Sequence, residues 1–223
     1  ENCMSGDNGG WHLVRGAFYP LSQLIEYAFV LENIELAQRT LQTFEEHPVK
    51  SEISRPYLTM ARLLIDRKRV KEANEVLGRI LPSRSINDTV EAAILRKRAG
   101  DFKGAHHLFA EAYSVNPDDP KIVHEFAQTK SGLARGLWRR EDIETKKRLN
   151  REAAELLRRA IQLADNPVRE AWCWFDLARI LDWLRSPKSE IEAAFLKARS
   201  LVPDEPRFQQ GYQQWKQKIS GRG

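Results

Sequence analysis

Apolar residues between positions 86 and 119 recur at spacings of three and four, which is the period of an amphipathic helix. The pattern breaks at Gly100-Asp101 and stops at Asn116-Pro117. Proline lacks a backbone donor and biases the residue before it away from the helical region, so it ends the second run. The stretch therefore predicts two helices joined by a short turn, which is a helical hairpin.

The second predicted helix alternates small and large apolar residues. Its apolar face consists of Phe102, Ala105, Phe109 and Ala112. Where two helices cross closely, a side chain larger than methyl pushes the axes apart, and a neighbouring aromatic ring fills the space beside the methyl group. We therefore expect Ala105 to lie at a close helix crossing and Phe109 to be buried next to it.

The same order of small and large residues returns about every 34 residues, which is a period typical of helical repeat arrays. The predicted repeats are 18–51, 54–85, 86–119, 120–169 and 171–204. Residues 1–17 are expected to be a loop or the end of an upstream helix, and 205–223 a capping helix with a tail. In such arrays each repeat packs on its neighbours, so no single central core is needed.

The repeat at 120–169 is longer than the others. Its extra residues lie around Gly136 to Asn150 and are rich in both positive and negative charge. Since no proline or glycine follows Gly136 in this stretch, it predicts a helical extension. We expect a lengthened, charged hairpin that projects beyond its neighbours.

The alternation resembles the tetratricopeptide repeat (TPR) family, whose second helix carries alanine, phenylalanine and a final proline. The matching sets are Ala105, Phe109, Ala112 and Pro117; Ala73 and Leu77; Ala37, Leu41 and Phe44; Phe195, Ala198 and Pro203. The family's leucine-glycine pair is absent, but pairs such as Ala92-Ala93 keep its small residue. The resemblance implies an all-α fold, an α-solenoid of about five helical hairpins with a C-terminal capping helix.

The resemblance also implies a function, because such arrays bind proteins or peptides in a concave groove lined by their first helices. Some members hold a C-terminal carboxylate there with a lysine and asparagine clamp, which the matching positions here lack. The remaining groove candidates are Arg62, Lys97, Arg98, Lys121, His124, Gln128, Trp172, Arg179 and Trp183. Converging guanidinium groups would suit an acidic peptide or a phosphate-bearing partner. These residues need not line a binding groove. The polar ones could lie on solvated helix faces, and the tryptophans could be buried against the long hairpin.

Net charge adds a second interpretation. The chain carries a formal charge of +5, which is small for a dedicated nucleic-acid binder. The local excess of basic residues from Arg135 to Arg151 nevertheless matches an RNA-binding helical repeat of the half-a-TPR kind. RNA binding is therefore the alternative to a protein-interaction scaffold. A protein-interaction scaffold of this kind would suit the regulatory or sensor part of a larger protein or complex.

The sequence predicts neither catalysis nor a cofactor. Its two cysteines, Cys3 and Cys173, have no partners at metal-ligand spacing, and adjacent His106 and His107 point about 100° apart on a helix. We therefore expect no enzyme activity and no metal site. The absence of a disulfide framework and of long apolar stretches favours the cytoplasm or another reducing compartment, without membrane insertion.

Overall fold

A computed structural model describes residues 21–46, 54–80, 85–137 and 139–221. The predictions for residues 1–17 lie outside these ranges. Within them the elements are α-helices and one short 3₁₀ helix, with no strand. The all-α, TPR-like fold class predicted from the sequence is confirmed.

The chain divides into two compact units, Glu1–Asp101 and Phe102–Gly223. The described helices of the first unit are residues 21–30 (α1), Ile34–Glu45 (α2), Arg55–Asp66 (α3), Val70–Gly78 (α4) and Ile86–Arg98 (α5). Those of the second unit are Phe102–Val115 (α6), Pro120–Arg135 (α7), Ile143–Leu163 (α8), Pro167–Leu184 (α9), Lys188–Leu201 (α10) and Pro206–Ser220 (α11). The division falls inside the repeat predicted at 86–119, between its two helices.

Side chains that cap free backbone amides mark several helix starts. Asn33 accepts a hydrogen bond from the amide of Leu36 at 3.0 Å, and Asn166 accepts one from Arg169 at 2.8 Å. Prolines follow the caps of α7, α9 and α11, where the missing amide costs nothing. A capping polar residue followed by proline therefore sets the start of α7, α9 and α11.

Four of the first helices end in the same turn. After α5, Gly100 has φ of +80°, its amide donates to Lys97 O, and the amide of Asp101 donates to Arg96 O. This is the Schellman turn, in which one residue adopts the left-handed conformation. The equivalent residues that close α1, α3 and α9 are Glu32, Lys68 and Arg185, with φ of 56°, 61° and 59°.

Helix α7 ends differently. Gly136 has φ of −73°, and the chain continues through the 3₁₀ helix Arg140–Asp142 into α8. Residues 143–150 of the charged stretch form the first two turns of α8, which is 21 residues long. The long hairpin therefore begins where the Schellman turn of the other first helices is missing.

The second unit has one continuous apolar core. It joins the inner faces of α7 to α11, from Val123 and Leu157 to Phe208 and Trp215. On α6, Ala105 and Phe109 are both fully buried, in agreement with the packing that their spacing predicts. In the first unit the largest fully buried side chains include Phe29, Phe44 and Met60.

Candidate functional site

A groove of about 440 Å³ lies between α9 and α11, with α10 beneath it. Helix α9 is the first helix of the last hairpin, and α11 occupies the place of the first helix of a following hairpin. The groove therefore lies between first helices, where the sequence predicts a binding site. The lining residues are Phe175, Arg179, Asp182, Phe195, Arg207, Gln210, Gly211, Gln214, Trp215 and Lys218. We call it the α9–α11 groove.

An aromatic cluster forms the base of the α9–α11 groove. The ring of Phe175 lies 5.8 Å from that of Phe195 and 5.0 Å from that of Phe208, measured between centroids. Phe175 is buried, and its ring faces Gly211 on α11, which has no side chain to hold the two helices apart. The base is therefore apolar and is fixed by packing from three helices.

The rim of the groove carries more positive than negative charge. Arg179, Arg207 and Lys218 line it together with one carboxylate, Asp182, which forms an ion pair with Lys218. The side chain of Arg179 is 56% exposed, and its guanidinium group lies 3.9 Å from Asp176, too far for a tight pair. Arg179 is therefore accessible to a partner bound in the groove.

Two amide side chains, Gln210 and Gln214, complete the rim on α11. Both are exposed, and each offers a donor and an acceptor. Such groups match the alternating N–H and C=O groups of an extended peptide. The groove thus combines an apolar base, amides and excess positive charge.

His124, Gln128 and Asp176 form a polar network that joins α7 to α9. The Gln128 Nε2 group donates to Asp176 Oδ2 at 2.8 Å, and His124 Nε2 lies 3.1 Å from the same oxygen. His124 is buried. Three predicted site residues, His124, Gln128 and Arg179, therefore lie around the carboxylate of Asp176. His124 and Gln128 are within hydrogen-bonding distance of that carboxylate, whereas Arg179 is farther away.

Two predicted cations of the first unit, Arg62 and Arg98, are paired across its first helices. Arg62 on α3 bonds to Glu26 on α1 at 3.0 Å, and Arg98 on α5 bonds to Asp66 on α3 at 2.6 Å. Lys97 beside them is half-buried. In the second unit, Lys121 is exposed in the first turn of α7. These residues do not line the α9–α11 groove.

The two tryptophans predicted to face a groove lie outside the α9–α11 groove. Trp172 is half-buried, with its ring 4.7 Å from that of Phe208 on the capping helix, and the guanidinium of Arg207 lies 5.6 Å from its centroid. Trp183 is 40% exposed, and the ammonium group of Lys146 lies 5.5 Å above its ring. Trp172 thus packs against the cap, and Trp183 contacts the long hairpin.

Sequence reasoning missed the α11 side of the groove. Arg207, Gln210, Gln214 and Lys218 occur at helical spacings, which was a usable signal. However, the polar face of the last helix is also what a capping helix needs for solubility. Only its packing against α9 shows that this face borders a groove.

Acidic neighbours accompany several of the basic residues of the long hairpin. Lys147 bonds to Glu144 at 2.7 Å, while Arg148 and Lys130 bond to the two oxygens of Glu152 at 2.8 and 2.7 Å. These cations hold the pKa of the Glu152 carboxyl below its usual range, against the opposing effect of its partial burial. This arrangement reduces the positive field on which the RNA-binding alternative depends.

Other chemistry is limited in the described parts of the chain. Cys173 is fully buried, and burial raises the pKa of its thiol to about 12, which suits a packing residue rather than a nucleophile. In residues 21–46, 54–80, 85–137 and 139–221 no three metal-ligating side chains cluster together. Within the same ranges, every helix is too short or too polar to cross a bilayer.

Comparison with known proteins supports the fold. No family model and no curated protein sequence matches this chain. Among solved structures, YrrB, a TPR protein with an unusual peptide-binding site, aligns with a TM-score of 0.58 and 14% identity, covering 85% of this chain and 90% of its own. A thermophilic TPR protein of Thermus thermophilus aligns with a TM-score of 0.53 and 18% identity, covering 88% and 97%. This chain therefore has a TPR-like helical repeat fold, as its sequence predicts.

Proposed function

We propose that this protein is an interaction scaffold that binds an acidic peptide segment of a partner protein in the α9–α11 groove. TPR-like structural neighbours support a protein-interaction role in general. The observation that carries the specific site is the combination of the buried Phe175 base with the exposed Arg179 and Arg207 at the rim. YrrB, which has a comparable fold, is a TPR protein with an unusual peptide-binding site.

Each part of the groove has a role in this proposal. An apolar side chain of the peptide packs on Phe175, where it removes apolar surface from water. Gln210 and Gln214 pair with the peptide backbone, whose polar groups must keep hydrogen bonds when they are covered. Arg179 and Arg207 bind carboxylates, for which the guanidinium fork is well shaped.

Fluorescence anisotropy with short labelled peptides tests this proposal. The probe has one leucine flanked by aspartate and glutamate, and the matched control peptide carries asparagine and glutamine in their place. We expect the acidic probe to bind more tightly, and the double variant Arg179→Glu, Arg207→Glu to weaken it by about tenfold or more. The control is the double variant Arg135→Glu, Arg151→Glu, which makes the same change in net charge at two exposed residues outside the groove.

Two results would overturn the proposal. One is equal binding of the acidic peptide and the neutral control peptide to the native protein. The other is an equal effect of the groove variant and the control double variant, which would mean that only the overall charge matters. Circular dichroism of both variants checks that the helices remain folded.

A further inference from the structure

A second groove, of about 370 Å³, lies in the first unit between α2 and α4. Helices α2 and α4 each contribute four lining residues, spaced three, four and seven positions along the helix. The lining residues are Gln38, Leu41, Gln42 and Glu45 on α2, Met60 and Leu64 on α3, and Glu72, Glu75, Val76 and Arg79 on α4. We call it the α2–α4 groove, and it involves second helices of hairpins rather than first helices.

The base of the α2–α4 groove is apolar. Leu41, Met60, Leu64 and Val76 line it and are at most 6% exposed. The two middle residues come from α3, which lies beneath the gap between α2 and α4. An apolar side chain that enters this gap would meet aliphatic and thioether groups from three helices.

The rim of the α2–α4 groove is acidic. Three carboxylates, Glu45, Glu72 and Glu75, line it with one guanidinium group, that of Arg79. Arg79 bonds to Glu45 at 3.1 Å, and Arg69, outside the lining, bonds to Glu72 at 2.5 Å. Glu75 is exposed and has no ion-pair partner in the described residues. The groove therefore keeps an excess negative charge at its α4 edge.

The charge also decides which class of partner fits. Phosphate groups of a nucleic acid would be repelled by Glu75, whose charge no arginine offsets in the described residues. A metal ion is not favoured either, because no cluster of three metal-ligating side chains occurs in the described residues. A basic peptide with an apolar side chain matches both the base and the rim.

We propose that the α2–α4 groove is a docking site for a basic amphipathic segment of a partner protein. An apolar side chain of that segment occupies the gap above Met60 and Leu64, and a lysine or arginine pairs with Glu75. The amides of Gln38 and Gln42 border the other edge and pair with polar groups of the segment. This site is independent of the α9–α11 groove and takes a ligand of opposite charge.

The test uses the full chain and a short fluorescein-labelled peptide in which leucines at helical spacing are flanked by lysines. We expect binding that weakens as salt is raised, and an affinity loss of about tenfold in Glu75→Lys. The matched control is Glu35→Lys, which makes the same charge change at an exposed α2 residue outside the groove. Arg179→Glu should leave binding of this probe unchanged, which separates this site from the α9–α11 groove.

Three outcomes would overturn the inference. The peptide does not bind, or Glu35→Lys and Glu75→Lys weaken it equally, or a peptide with glutamate in place of lysine binds equally well to the Arg179→Glu, Arg207→Glu variant. Sedimentation of the protein alone tests whether a second copy of the chain occupies the α2–α4 groove. If the protein self-associates and Glu75→Lys abolishes that association, the groove holds a second copy of the chain instead of a basic partner.

Discussion

A Cβ atom on Gly211 would lie 2.5 Å from Cε2 of Phe175, closer than real side chains approach. The capping helix α11 can therefore rest on α9 only because residue 211 has no side chain. The same contact forms the base of the α9–α11 groove, since Phe175 and Gly211 both line it. Helix packing and groove shape thus depend on one pair of residues.

We expect Gly211→Ala to destabilise the protein by up to about 2 kcal/mol. Alanine gains about 1 kcal/mol over glycine in a helix interior, but overlap with a buried ring costs typically 1–3 kcal/mol. The ring of Phe175 is packed by Phe195 and Phe208 and has little freedom to move. Urea denaturation monitored by tryptophan fluorescence measures the change.

The control for this variant is Gly78→Ala at the end of α4. A Cβ atom there meets nothing within 4 Å, so only the gain in helix propensity should remain. We expect Gly78→Ala to be neutral or stabilising by up to about 1 kcal/mol. Stabilisation of similar size in Gly211→Ala would contradict the close contact with Phe175.

Ala105 and Phe109 should respond in different ways to substitution. Both are fully buried on α6. Ala105→Leu overpacks its site and should cost about 1–3 kcal/mol, while Phe109→Ala opens a cavity and should cost about 3–5 kcal/mol. The exposed neighbour His107 provides the control, because His107→Ala should change the free energy of unfolding by less than about 0.5 kcal/mol. A tolerated Ala105→Leu would mean that the site has room for a larger side chain.

The Schellman turns predict a stabilising substitution. Lys68 has φ of 61°, a conformation that costs non-glycine residues on the order of 1 kcal/mol. Lys68→Gly should therefore raise the free energy of unfolding by up to about 1 kcal/mol, and Gly100→Ala should lower it by a similar amount. Thermal and urea denaturation of the two variants measure these opposite effects. A loss of stability in Lys68→Gly would indicate that the lysine side chain outweighs the backbone strain.

Cys173 should be unreactive in the folded protein. With a thiol pKa of about 12, its thiolate fraction at pH 8 is about a thousandfold below that of an ordinary cysteine. Labelling with a chromogenic disulfide reagent, in a Cys3→Ser background that leaves one thiol, measures the rate. We expect slow labelling in buffer and fast labelling in denaturant, whereas fast labelling in buffer would show that the core around Cys173 opens readily.

The recurring order of alanine and aromatic residues was enough to predict the all-α, TPR-like fold. That signal is strong because close helix crossing requires a small residue, and filling the space beside it requires a large one. Both residues lie on one helix face, so they occur three or four positions apart in the sequence. The candidate site was predicted less completely. His124, Gln128 and Arg179 were named as candidates, but sequence spacing does not show that the first two are held by Asp176, 52 and 48 residues away.

The sequence by itself therefore determined the all-α, TPR-like repeat of helices, since this depends on local patterns. The tertiary structure decided which polar side chains pair with each other and which remain accessible. Arg62 and Arg98 look equivalent to Arg179 in the sequence, yet ion pairs to the neighbouring first helix engage them. Both grooves also arise only in the fold, because each needs side chains from three helices, and contact across helices is set by packing rather than by local spacing.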